Sequence, residues 1–149
     1  MGHSEPRTLF SVGYEGRTSE TLLSMLAEAK VSILVDVRLA ARSRKPGLSK
    51  RRIADSLAAT GIDYAHLPVL GNPRANREGI RRLDPSSQRL YQTVLESVGG
   101  QIALDELRAL LADRGVALLC YELDPATCHR QLVSAALLRF DPSLRLIEL

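Results

Sequence analysis

Eleven residues, CYELDPATCHR from Cys120 to Arg130, hold both cysteines of the chain, one of its three histidines, two acids and an arginine. Such residue types serve nucleophilic, acid–base and anion-binding chemistry. A thiol near a helix start, beside His129 and Arg130, has its thiolate favoured, which suits Cys128 to a nucleophilic role. His129 can carry a proton or hold a phosphate. Glu122 is a candidate acid–base carboxylate, and so is Asp36, which suits a ribose hydroxyl or a salt bridge equally well. Arg130 is the candidate anion ligand of the cluster, or an internal partner for Glu122 or Asp36. Asp124 serves equally as a helix cap, and Cys120, inside an apolar strand, equally as a small core residue.

Several familiar chemistries are excluded by spacing. Cys120, Cys128, His129 and His66 offer a zinc-like donor set, but Cys-x7-Cys-His is not a recognised ligand spacing, so no metal and no cofactor is expected. GYEGR is not GxGxxG, and neither GxxxxGK[ST] nor GxSxG occurs. The VDVR run resembles a rhodanese strand, but the rhodanese loop places an arginine five residues after its cysteine. Pro125 and Val133 stand at that distance from Cys120 and Cys128, so the rhodanese and cysteine-phosphatase geometry fails.

The charge pattern points to an anionic partner. Of the 20 basic residues only Lys30, Lys45 and Lys50 are lysines, and the other 17 are arginines, whose planar forks match phosphates and carboxylates. Seven basic residues and no acid lie between Arg38 and Arg52; a second basic region runs from Arg74 to Arg89. Solvated surface accounts for such runs as readily as a nucleotide or nucleic-acid partner does. The chain of 149 residues is 45% hydrophobic and 25% charged, as expected of one soluble globular domain. No apolar stretch approaches the ~20 residues of a membrane span, and no hydrophobic signal core opens the chain, so a cytoplasmic protein with thiol cysteines is expected. Residues 1–7 read as a flexible tail.

Apolar runs alternate with helical patterns, which predicts a single three-layer, Rossmann-like α/β domain: about five mainly parallel strands with helices on both faces. Strands are expected over Leu9–Tyr14, Val31–Arg38, Asp63–Leu67, Val116–Glu122 and the closing LRLIEL. Helices are expected after Thr18 or Ser19, from Ser49 to Gly61, after Ser86 or Ser87, over Ala103–Arg114, and from Asp124-Pro125 to Phe140. Val69–Pro85, rich in Gly, Pro and Asn, reads as a long irregular loop. Right-handed crossovers carry the strand C-termini of a parallel sheet to one rim, where ligands bind in open α/β folds. That rim should gather Tyr14, Glu15 and Arg17 from the first strand, Asp36 and Arg38 from the second, and His66 from the third. The fourth should add the Cys120–Arg130 cluster, and the loop after the second strand Arg42.

The stretches SVGYEGRTSETLLSML, VDVRLAARSRKPGLSK, IDYAHLPVLG and CYELDPATCHR, in this order, resemble the DUF488 family over nearly the whole chain. The matching positions are Gly13, Tyr14, Glu15, Gly16, Asp36, Arg38, Arg42, Ser43, His66, Leu70, Gly71, Cys120, Glu122, Cys128, His129 and Arg130. Ala41 stands where the family commonly has proline, and Asn72 where a second glycine is common; both fall in loops. The resemblance implies the same constellation and names no chemistry. Two readings follow. In the first, an enzyme-like pocket binds a small phosphorylated or nucleotide-like ligand for hydrolysis or group transfer. Arg38, Arg42 and Arg130 hold the anion there, and Asp36, Glu122, Cys128 and His129 do the chemistry. In the second, the basic loops 38–52 and 74–89 bind nucleic acid or a partner without catalysis.

Overall fold

The computed structural model describes residues 7–149. Five strands, β1 (Thr8–Gly13), β2 (Ile33–Asp36), β3 (Asp63–His66), β4 (Val116–Cys120) and β5 (Arg145–Glu148), make one parallel sheet in the order β3-β2-β4-β1-β5. Among the described residues the helices are α1 (Ser19–Glu28), α2 (Lys50–Ala59), α3 (Arg77–Arg81), α4 (Pro85–Glu96), α5 (Val98–Leu111) and α6 (Arg130–Phe140). None is long and apolar enough to cross a membrane. The three-layer α/β architecture anticipated from the pattern is the observed one.

Strand order and handedness together set the layers. From β1 the chain moves through β2 to the β3 edge, and α1 and α2 cover one face on the way. It then returns to β4 and β5 in the opposite direction, so crossovers of the same hand place α4, α5 and α6 on the other face. Two cores result, divided by the pleat. Val12, Leu34, Ala117 and Leu119 pack with Leu22 and Leu26 of α1 and Ile53 and Leu57 of α2. Leu9, Val35, Leu118 and Cys120 face the other way, toward Tyr91, Leu104, Leu107, Val133 and Leu137. Each fully buried leucine of this kind contributes roughly 1.5–3 kcal/mol. The inner strands β2 and β4 are buried at every position, which is why they read as nearly continuous apolar runs, whereas the edge strands β3 and β5 are half-exposed.

Local structure departs from the sequence reading in four places. Val69–Pro85 is not an irregular loop. It forms 3-10 turns at Pro68–Leu70 and Arg74–Asn76 and then α3. Buried Asn76 organises it, donating to Asn72 Oδ1 (3.0 Å) and the Ser87 carbonyl (2.9 Å), so amide side chains supply hydrogen bonds that no sheet provides. Helix α4 is capped by Asp84 with Pro85 at its first position, not by Ser86 or Ser87. Helix α5 begins at Val98, capped by Ser97; a side chain at Gly100 would lie 2.2 Å from the Val94 carbonyl, so this tight α4–α5 corner requires glycine. Finally, Asp124-Pro125 starts only a 3-10 turn, Pro125–Thr127; Cys128 is extended (φ −128°, ψ 145°), and α6 begins at Arg130. Residues 1–6 of the expected tail lie outside the described residues. Arg7 pairs with Asp141 and its carbonyl accepts from Arg145 N–H (2.8 Å).

Candidate functional site

The C-terminal ends of β1, β2 and β4 lie in register, with Gly13 opposite Cys120 and Asp36 opposite Leu119. Beyond them opens a cavity of about 270 Å³. Its lining includes Tyr14, Arg38, Arg42, Asn72, Arg77, Arg81, Cys120, Tyr121, Glu122, Cys128 and His129. Two glycines permit the close chain approaches that shape it. A Cβ at Gly13 would lie 2.0 Å from the Glu122 carbonyl oxygen, and one at Gly71 would lie 2.3 Å from Leu39 Cα.

The floor belongs to the α4–α6 face. Cys120, Glu122, Cys128 and His129 are all buried. His129 Nε2 lies 2.8 Å from the Val37 carbonyl. A carbonyl only accepts, so Nε2 carries the ring proton and Nδ1 presents its lone pair. That lone pair faces two sulfurs at once, Cys120 Sγ and Cys128 Sγ, each at 3.8 Å. The ring is held edge-on against Tyr91, with centroids 5.2 Å apart. The Cys120 thiol also reaches Glu122 Oε2 at 3.7 Å, and Arg81 Nε donates to Glu122 Oε1 at 3.3 Å. Burial pushes the Cys128 thiol well up, and the neighbouring Cys120 adds to this, while His129 opposes it. The expected depression at a helix start does not apply, because Cys128 precedes α6 in an extended conformation. For Glu122 burial acts upward, but its own backbone N–H, the Cys128 thiol and Arg81 together hold the carboxylate below its usual range.

On the α1–α2 face the polar residues are spent on one another. Asp36 is fully buried. Its carboxylate accepts from Arg38 Nε (2.8 Å), Arg38 Nη2 (2.6 Å), the Arg38 backbone N–H (3.1 Å) and the Tyr64 hydroxyl (2.5 Å). Arg38 Nη1 donates to the Leu48 carbonyl (2.7 Å) and the Tyr14 hydroxyl (3.3 Å). Burial alone would lower the Arg38 pKa, but Asp36 more than offsets it and the guanidinium stays charged. Burial and then the bond to Asp36 raise the Tyr64 phenol above its ordinary range.

Of the residues expected at the site, Tyr14, Arg38, Arg42, Glu122, Cys128 and His129 line the cavity. The others sit behind or beside it. Asp36 is enclosed under Arg38, as described. His66 Nε2 is bonded to the Arg38 carbonyl (2.7 Å) and so buttresses that loop. Arg17 donates to the carbonyls of Gly13 (3.0 Å) and Leu149 (3.2 Å). Glu15 accepts from Leu123 N–H (3.0 Å). Arg130, expected to hold an anion, is 1% exposed and donates to Ser11 Oγ (2.7 Å) and the Glu122 (2.5 Å) and Leu123 (3.2 Å) carbonyls. Its role is to lock the Cys120–Arg130 turn onto β1. Arg77 and Arg81, which belong to the basic region 74–89 but were not among the residues expected in the pocket, also line the cavity. They lie on α3, in the segment taken for a loop; their i,i+4 spacing on a helix would have placed them together. Arg42 and Arg77 make no side-chain hydrogen bond or ion pair among the described residues, and both are exposed.

The class shown by the structure is that of its fold, a three-layer α/β domain on one parallel sheet. The chain belongs to the family described as "Domain of unknown function DUF488", whose model matches residues 18–137. Nothing matches among curated proteins or among solved structures.

Proposed function

We propose that the rim cavity binds a phosphorylated or nucleotide-like substrate and carries out hydrolysis or group transfer on it. One observation carries the reading: Arg42 and Arg77, with no internal partner among the described residues, stand with Arg81 around a cavity floored by Cys120, Glu122, Cys128 and His129. Unpaired guanidinium forks beside buried reactive groups suit an anion whose reacting end points inward. The volume, about 270 Å³, fits a phosphate-bearing group better than a large ligand. Glu122 is the acid–base candidate. His129 Nδ1, an acceptor toward both thiols, can take a proton from either.

Titration calorimetry with pyrophosphate and ADP tests the binding step. Each of Arg42→Ala and Arg77→Ala should weaken affinity on the order of tenfold, the strength of one charge-assisted hydrogen bond. Release of phosphate from a panel of phosphate esters and nucleotides should then depend on Glu122 and His129. Anion affinity indifferent to both arginines would refute the reading.

A second reading, a nucleic-acid-binding module, is favoured by the exposure of Arg44, Lys50, Arg51 and Arg52. Fluorescence anisotropy with DNA and RNA separates the two. Module binding would fall steeply with salt, depend on those four residues and ignore Cys128.

A further inference from the structure

We propose that Cys120, Cys128 and His129 bind one zinc ion, with the fourth coordination position directed at the rim cavity. Cys-x7-Cys-His is not a recognised ligand spacing, so the sequence gives no reason to expect this, and the helix expected from Asp124-Pro125 would have carried Cys128 and His129 on its first turns. Neither lies within the helix. Asp124 Oδ1 accepts from Ala126 N–H (3.0 Å) and closes the Pro125–Thr127 turn, after which Cys128 is extended and faces back to the end of β4. His129 follows as the N-cap residue of α6.

The donor atoms of these three buried residues all lie within 4.8 Å of one another. Both sulfurs are 3.8 Å from His129 Nδ1. With Zn–S of about 2.3 Å and Zn–N of about 2.0–2.1 Å, tetrahedral geometry puts sulfur and nitrogen roughly 3.6 Å apart and two sulfurs roughly 3.8 Å apart. The nitrogen must therefore close on each sulfur by only a few tenths of an ångström, and the two sulfurs, within 4.8 Å of each other, on one another by at most about 1 Å. The imidazole is already in the tautomer that ligation requires. Its Nε2–H is held by the Val37 carbonyl at 2.8 Å, the outer partner that ligating histidines usually have, and Nδ1 is left as a donor atom. Two soft sulfurs and an imidazole in tetrahedral arrangement suit zinc better than magnesium or calcium. Glu122 Oε2, 3.7 Å from Cys120 Sγ, stands on the cavity side as a neighbour to the fourth position. On binding, two S–H bonds break, two Zn–S bonds and one Zn–N bond form, and two protons leave to solvent; no electron is transferred.

The inference rests on the proposed pocket only for the direction of the open position, and its test needs no substrate; with the ion bound, His129 Nδ1 is a ligand instead of a proton acceptor, and the acid–base role falls to Glu122. Reduced, metal-free protein is titrated with Co(II) and then with Zn(II). One equivalent of Co(II) should bind, with thiolate-to-cobalt charge transfer in the near ultraviolet and strong tetrahedral absorption in the visible, both abolished by zinc. Cys128→Ala and His129→Gln should each weaken uptake on the order of a hundredfold, one ligand's share of such a site. Far-ultraviolet circular dichroism checks that the variants fold. Zinc should also raise the melting temperature of the wild-type chain and slow the alkylation of both thiols. Folded, reduced wild-type protein that takes up neither metal overturns the proposal. So does uptake unchanged in both variants, or a Cys120–Cys128 disulfide whose reduction leaves a chain with no metal uptake. Loss of metal binding with anion binding at Arg42 and Arg77 intact would sink this inference and leave the pocket reading; the reverse result would do the opposite.

Discussion

The two faces of the sheet end at the same rim but use their polar residues in opposite ways. On the α1–α2 face, Asp36, Arg38, Tyr14 and Tyr64 form a closed set bound by hydrogen bonds of 2.5–3.3 Å. On the α4–α6 face, Cys120, Glu122, Cys128 and His129 meet through sulfur contacts of 3.7–3.8 Å and line a cavity. The first set supports, and the second is available. The lesson concerns carboxylates: Asp36, interrupting an apolar strand, has the look of a catalytic acid, yet its oxygens are committed to an arginine and a tyrosine. Glu122, at the strand's exit, is the one that faces the cavity.

The largest effect should come from breaking the closed set. Asp36→Ala would leave the buried Arg38 guanidinium without its counter-charge, at a cost of about 3–5 kcal/mol read from denaturant unfolding. A loss below about 1 kcal/mol would mean that the pair is not the support described. Next comes Gly13→Ala, where the new methyl meets the Glu122 carbonyl. Overpacking of this kind costs about 1–3 kcal/mol, and the displaced Glu122 should also weaken pyrophosphate binding in calorimetry.

A smaller effect distinguishes the faces by pH. The Tyr64 phenol is held above its ordinary value of 10.0 by burial and by Asp36. A proton bound more tightly in the folded state contributes stability that is fully present below the unfolded value. That stability is lost as the pH rises through the folded one. Melting temperature should therefore fall above about pH 10, and Tyr64→Phe should flatten the fall without removing it, since burial also raises the buried Tyr91. An unchanged alkaline slope in Tyr64→Phe would contradict the linkage. The smallest stability effect belongs to the mouth. Arg42→Ala and Arg77→Ala should shift unfolding by no more than about 0.5 kcal/mol, as expected of exposed side chains without partners, while anion affinity drops.

Much of this was legible in the sequence because burial writes itself plainly on inner strands. VSILVDVR and VALLCYE are nearly continuous apolar runs, and the polar residues at their ends had to collect at one rim. The start of α1 was readable to one residue, as Thr18 or Ser19, and Thr18 is the cap. What stayed hidden depends on partners distant along the chain. Arg130 and Arg17 satisfy backbone carbonyls at Glu122, Leu123, Gly13 and Leu149, and a carbonyl carries no residue signature. Helix α3 was masked by the Gly, Pro and Asn around it, since its order comes from the Asn76 amide rather than from periodicity. Asp124-Pro125 caps a 3-10 turn as well as it caps an α-helix, and that ambiguity hid the turn of Cys128 toward Cys120.

A crystal structure of the wild-type protein grown with pyrophosphate tests the account most directly. The account predicts a phosphoryl group in hydrogen-bond contact with Arg42, Arg77 or Arg81, its inner end above Glu122 and His129. Pyrophosphate bound only along the exposed Arg44–Arg52 stretch, with no anion in the rim cavity, would contradict it.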